Sequence, residues 1–487
     1  MYKFERYRQL GLADFDQPTG LKMDPDNRWV RKAATIPWEA IEEKYAELFP
    51  SDTGMPAKPL RTALGSLMIQ KQYGYSDREL LEQIKENPYY QYFIGLPGYQ
   101  GHQPFVPSLL VEFRKRLNDD VMMEINEMII AYNTPDDPEP GAGGGKDSDT
   151  ASDKPENSGT VILDATCAPQ NISYPQDINL LNEARENLEA LIDSICCDYN
   201  YYKPRMYREN ARKDYLNLAK CKKRTAKKIR RAIKQQLQYI RRDMGYIDAF
   251  LSDGVGLTSK QAARLSVVRE VYEQQKYMYE NNTHTVPDRI VSISQPYIRP
   301  IVRGKAAAPV EFGAKLDLSI DENGMARLEK LSFDAYNESD VLIGAIERYR
   351  ERTGHYPERV LADKIYRNRD NLAYCKLHGI RLSGPRLGRP KKDAAADKKT
   401  EYIDNADRVE VERSFSLAKR CYGLGRIMTK LDVTTRSSIA LSILVMNVAR
   451  IAAHLLCQFF MALISRCFCQ DFLSFCEQKR HRELLRA

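Results

Sequence analysis

Apolar positions along the chain follow two spacings, and the change from one to the other divides it. From Trp38 to Phe49 they fall at helical intervals, and Leu60, Leu64, Leu67 and Met68 recur at steps of three and four. Ser76 with Glu79 forms a capping box just before Leu80 and Leu81, so a helix is predicted to begin there. Two helices meeting near Gly74 fit a DNA-binding helix-turn-helix and a plain helical hairpin equally well. Residues 1–133 therefore read as an N-terminal helical domain, a candidate for DNA binding. Residues 134–159 are dominated by Gly, Pro, Ser and Asp, too poor in apolar side chains to order a backbone, and read as a disordered acidic linker. Gly143-Gly-Gly-Lys146 inside it lacks the glycine spacing and the preceding strand of a phosphate-binding loop.

Beyond the linker the period shortens. Thr160 to Ala165 is a short apolar run ending in an acid, and Phe312 to Ile320 alternates as a strand does. Ala326 to Phe333 alternates again after the turn Asp321-Glu-Asn-Gly324. Val341 to Tyr349 has helical spacing, Arg359 to Asp363 is another strand ending in an acid, and Gly379 to Ser383 a further one. Three strands, a helix, a strand, a helix and a strand predict an α/β fold with a mixed sheet, built from residues 160–177 and 305–450. Residues 178–304 interrupt it as a long helical insertion, and 451–487 form a C-terminal helical tail.

Charge changes the picture of the insertion. Segment 203–242 holds 16 Lys or Arg against Glu209 and Asp214, a net +14 that exceeds the +8 of all 487 residues. That excess favours a polyanion-binding surface over a merely solvated face, with Lys222, Lys223, Lys227 and Lys228 its densest part. Ala226, Ile229, Ile233, Leu237, Ile240, Met244, Ile247 and Leu251 form one seam along a long helix, a candidate contact between two copies of the chain. The balance of 43% hydrophobic and 29% charged residues is that of a water-soluble protein. Ten cysteines without a Cys-x-x-Cys pair argue against a disulfide framework and a structural zinc. The opening residues have no apolar core for a secretory signal. Ile439 to Ile464 is apolar enough to suggest a membrane span, but Asn447, Arg450 and His454 interrupt it. One or two buried helices are expected instead, with no membrane partner and a cytoplasmic location.

The chemistry rests on carboxylates. Asp164 and Asp363 end two strands, where side chains leave the packed layer and face a crevice. Asp407 to Lys419 reads as a helix. At about 100° per residue, Arg408 lies roughly 40° from Glu412 and Lys419 roughly 20° from it, while Glu410 points roughly 160° away. A carboxylate between two cations can bind a metal while its neighbours hold phosphate oxygens. Three carboxylates without thiols or a histidine cluster suit Mg²⁺ or Mn²⁺, and two such ions roughly 4 Å apart can drive phosphodiester displacement. Asn337-Glu338 fits either a site position or a helix N-terminus. The Tyr-rich stretch 199–207 fits base stacking or helix packing.

Arg408-x3-Glu412-x6-Lys419, in the phrase running from Arg408 to Gly425, resembles the glutamate signature of DDE transposases from bacterial insertion sequences, the insertion sequence four and five group. Val161 to Thr166 with Tyr174 to Asp177, Val310 to Lys315, and Leu361 to Tyr366 continuing to Pro390 are similar to the same group, in the same order. So is the helical region 56–98. The resemblance implies a ribonuclease-H-like catalytic domain with two divalent metal ions held by Asp164, Asp363 and Glu412. Arg408 and Lys419 would contact DNA phosphates; the basic loop Arg386 to Lys392 resembles a minor-groove hook, where Arg386 and Arg389 fit phosphate contacts and plain solvation equally well. The implied activity is cleavage at the ends of a DNA element and joining of 3′-hydroxyls to double-stranded target DNA, by a homodimer or larger assembly in the bacterial nucleoid. Two alternatives are a metal-dependent nuclease of the same fold and an inert DNA-binding protein. Two features depart from the family: Asn405 stands where a tyrosine is usual, and the insertion follows the first aspartate.

Overall fold

In the computed structural model, residues 11–47, 49, 56–134, 157–302, 310–384 and 395–484 are described. Most of the linker and the loop bearing Arg386 and Arg389 lie outside them. The N-terminal part is built from α1 (Arg28–Ala34), α2 (Trp38–Ala46), α3 (Leu60–Tyr73), α4 (Asp77–Glu86), α5 (Pro88–Phe93), α6 (Leu109–Arg116) and α7 (Asp119–Asn133). Local signals set their ends. Gly74 closes α3 at φ +71°, a left-handed conformation costly for other residues, and the Ser76 hydroxyl accepts the Glu79 amide at 3.2 Å to start α4.

Six strands form one sheet among the described residues: β1 (Thr160–Pro169), β2 (Arg299–Val302), β3 (Val310–Ile320), β4 (Ala326–Ser332), β5 (Arg359–Ala362) and β6 (Arg381–Leu382). β1 runs antiparallel to β3 and parallel to β5, and β5 is parallel to β6. β1 occupies one edge of β3, so β2 and β4, both antiparallel to β3, share its other edge end to end. The fold is therefore α/β with a mixed sheet. β2 is a correction: it lies inside the segment 178–304 expected to be all helix, its four residues being too few to show a period.

Between β1 and β2 come α8 (Asp177–Asp198), α9 (Arg208–Ala219), α10 (Ala226–Ser252) and α11 (Ser259–Glu280). They enclose a core of their own, with Leu181, Leu188 and Ile192 packed against Leu237, Ile240, Ile247, Val268 and Val271. This corrects the expectation for the α10 seam. Its central residues are buried inside the chain, because α8 beside it offers apolar area at no cost in association entropy.

After β4 the chain adds α12 (Leu342–Thr353), α13 (Arg369–Leu377), α14 (Ala395–Cys421) and α15 (Asp432–Leu484). Val161, Leu163, Val360 and Ala362 face α12, where Leu342, Ile346 and Tyr349 cover them. Ile162, Leu316, Leu318 and Leu361 face the other way, into a core with Val411, Phe415 and Ala418 of α14 and Ile439 to Val448 of α15. The same core continues into the N-terminal helices. α15 is one unbroken helix, so no boundary falls at 450/451. By length and composition Asp432–Gln458 could cross a membrane, yet residues 439–448 pack inside the protein.

Candidate active site

The alternation of side chains fixes the two aspartates. Ile162 pairs with Leu361 and Leu163 with Ala362 across the parallel β1–β5 ladder, so the next step aligns Asp164 with Asp363. Both lie on the face turned to α14, because Ile162 and Leu361, two residues earlier, do. Asp164 does not end its strand as expected, because β1 runs on to Pro169 paired with β3; it is half-buried within β1 and accepts the Ala165 amide at 2.8 Å. Asp363 stands just past β5, exposed, its Oδ1 accepting the Lys364 amide at 2.7 Å. Burial, opposed by Arg408 and reinforced by the charges of Glu338 and Asp363, pushes the Asp164 carboxyl up to about 6.

α14 supplies the third wall. Val411, Phe415 and Ala418 seat it on the sheet, which turns the flank of Arg408, Glu412 and Lys419 toward the strand ends. The Arg408 guanidinium lies 3.7 Å from Asp363 Oδ1. Glu412 is exposed and Lys419 half-buried. Glu410, on the other flank, is bound 2.9 Å from Arg450 and 2.9 Å from Arg413. Between β5, β6 and α14 opens a cleft of about 370 Å³ lined by Asp363, Lys364, Ser383, Glu401, Asn405 and Arg408.

The donors fit a hard divalent cation in kind: carboxylate oxygens without thiol or imidazole, around an aspartate whose buried charge a cation would relieve. They are not gathered into a ready cage. Among the described residues no three of His, Cys, Asp or Glu approach closely enough to hold a metal ion, so Asp164 and Asp363 adjoin while Glu412 does not close on them.

Three neighbours carry more of the site than the sequence reading allotted them. Glu338 opens a short 3-10 turn, Glu338–Val341, capped by Asn337, and also pairs with Lys315 at 2.8 Å beside Asp164. Asp317 on β3 is fully buried, accepting from the hydroxyls of Tyr366, at 2.7 Å, and Tyr336. The signal that could have found them is the charged pair Lys315 and Asp317 alternating with the apolar Leu316 and Leu318 in β3. Lys222, Lys223, Lys227 and Lys228 are exposed around the start of α10, where Thr225 caps the helix.

Residues 360–449 match the family model of a transposase DDE domain, and residues 20–116 match that of a transposase domain, DUF772. The first spans Asp363, Arg408, Glu412 and Lys419; Asp164 lies outside both. The chain is 26% identical over 166 residues to an uncharacterized protein, ORF8 in the nfe locus of Rhizobium meliloti, over 34% of this chain and 73% of that protein. No solved structure matches it. The chain is thus similar to transposase domains in two places, on the N-terminal helices and on the part of the sheet domain that bears Asp363 and Glu412.

Proposed function

We propose that the protein binds the ends of its insertion sequence, cleaves phosphodiester bonds there and joins the freed 3′-hydroxyls to target DNA. One observation carries this reading: Asp164 on β1 adjoins Asp363, which stands just past the end of the neighbouring parallel strand β5, beside a helix whose one flank bears Arg408, Glu412 and Lys419. The strand order, antiparallel from β4 through β3 to β1 and parallel from β1 through β5 to β6, supports a ribonuclease-H-like sheet.

Asp164, Asp363 and Glu412 would hold two Mg²⁺ or Mn²⁺ ions. Divalent cations bound there supply polarisation of the scissile phosphate and activation of the attacking oxygen. Arg408 and Lys419, on the same flank, would hold phosphate oxygens. Lys222, Lys223, Lys227 and Lys228, with Arg386 and Arg389, grip the backbone of double-stranded DNA. Holding two ends together requires at least a homodimer, acting where the DNA is, in the cytoplasm.

The test is incubation of the purified protein with DNA carrying the element's flanking ends, in Mg²⁺, Mn²⁺ or EDTA, beside Asp363→Ala. Nicking at the ends that needs metal and vanishes in the variant is expected, followed by strand joining to added target. Cleavage without joining would make the protein a nuclease. Binding without cleavage in every metal would leave a DNA-binding protein.

A further inference from the structure

Behind the two aspartates, β3 carries a pair of charges on the face turned away from α14. Asp317 lies directly opposite Ala165, one residue beyond Asp164 on β1. It has no exposed surface, and a buried carboxylate is costly unless its oxygens are satisfied. Both are. Oδ1 accepts the Tyr366 hydroxyl at 2.7 Å and Oδ2 accepts that of Tyr336. The β3–β4 register slips by one residue between Asp317 and Leu318, a bulge of the kind that re-aims side chains beside sites.

The two tyrosines belong to different loops. Tyr366 ends the 3-10 turn Lys364–Tyr366 that Asp363 caps, its amide bonded to the Asp363 carbonyl at 3.0 Å. Tyr336 precedes Asn337 and Glu338, and its carbonyl accepts Lys315 Nζ at 3.0 Å while the same nitrogen reaches Glu338 at 2.8 Å. Asn371 joins the loops a second time, donating to the carbonyls of Tyr366 and Ser339, both at 2.8 Å. Among the described residues, Asp317 is thus the one side chain bonded to both loops from the strand next to Asp164.

We propose that Asp317 is a positioning residue, whose buried carboxylate clamps the Asp363 loop and the Glu338 loop at a fixed distance from Asp164. This rests on the metal-dependent reading above. Asp317 touches no substrate; it acts through Tyr366, whose backbone sets where Asp363 stands once the strand has ended. Without the clamp the turn 363–366 keeps its local bonds but loses its anchor to β3, and the carboxylates no longer present a fixed pair.

The test compares wild type, Asp317→Ala, Asp317→Asn and Tyr366→Phe as full chains, by hydrogen exchange and by Mn²⁺ titration calorimetry without DNA. Asp317→Ala should speed exchange in 334–340 and 363–368 and leave the N-terminal helices unchanged. Its half-saturating Mn²⁺ concentration should rise about 10- to 100-fold, as when a ligand's outer support is removed. Asp317→Asn, whose amide can accept from one tyrosine and donate to the other, should recover most of both. Tyr366→Phe loses one hydroxyl and should fall between, serving if the alanine variant does not fold. Unchanged exchange in both loops, or an asparagine variant as impaired as alanine, would overturn the clamp. A wild type that binds no Mn²⁺ would overturn the metal reading instead, with exchange deciding the clamp separately.

Discussion

Glu410 and Glu412 differ by two positions and by which way α14 turns them. Two residues along a helix point in nearly opposite directions, which sends Glu410 to Arg450 and Glu412 to the flank of Arg408. Glu412→Gln should abolish metal-dependent cleavage and leave DNA binding intact. Glu410→Gln should cleave normally and lose on the order of 1 kcal/mol of stability, since its partly exposed ion pairs are screened by solvent. A dead Glu410→Gln beside an active Glu412→Gln would reverse the assignment. These two could be placed from spacing, because a helix fixes which residues share a flank. Asp317 and Tyr366 could not: their importance is a hydrogen bond between residues 49 positions apart.

At the scale of elements, the insertion contains both an exposed charge and a buried one. Changing Lys222, Lys223, Lys227 and Lys228 to Ala should weaken duplex binding and flatten its salt dependence, by up to about 3.6 in the slope of log K against log salt if each meets one phosphate. An unchanged slope would leave α8–α11 as a structural unit only. Inside it, Asp243 of α10 is fully buried near Glu189, Arg185, Arg208 and Arg242, and neither of its oxygens has a hydrogen-bond partner. Burial first, then the Glu189 charge, push it up to about 7. Its folded value lies above the unfolded one, so its contribution to stability is complete in acid and is lost as pH rises through 7. Asp243→Asn should therefore stabilise the protein at pH 8, by about 2–4 kcal/mol, and the difference should shrink toward pH 5. Urea midpoints at the two pH values decide it; equal shifts at both would assign the effect to packing alone.

In the whole molecule, α15 joins the N-terminal helices to the sheet. It packs on α7, α6 and α3 as well as on β4. Asn447 is completely buried on it, accepting the Ala326 amide at 3.0 Å and donating to the Ala326 carbonyl at 2.7 Å and to Asn126 of α7 at 2.8 Å. One side chain thus ties helix, sheet and N-terminal domain. Asn447→Leu would leave the Ala326 amide buried and unpaired, and should cost about 2–4 kcal/mol in urea unfolding. A loss below about 0.5 kcal/mol would show that the region relaxes to let water in. Within this apolar helix, the polar groups of Asn447 are thus answered inside the protein.

The sequence by itself determined what depends on neighbours within a turn or a strand. The capping at Ser76, the alternation in β3 and β4, the strand-end position of Asp363 and the shared flank of Arg408, Glu412 and Lys419 all follow from local geometry. It also determined the charge of the insertion, since charge is a sum. Tertiary structure decided what depends on pairing between distant segments. It aligned Asp164 with Asp363 across β1 and β5 and set β2 against β3. It also buried the middle of the α10 seam against α8. Hydrogen-bond partners and buried faces are chosen by the chain as a whole, and no period along it encodes which partner is chosen.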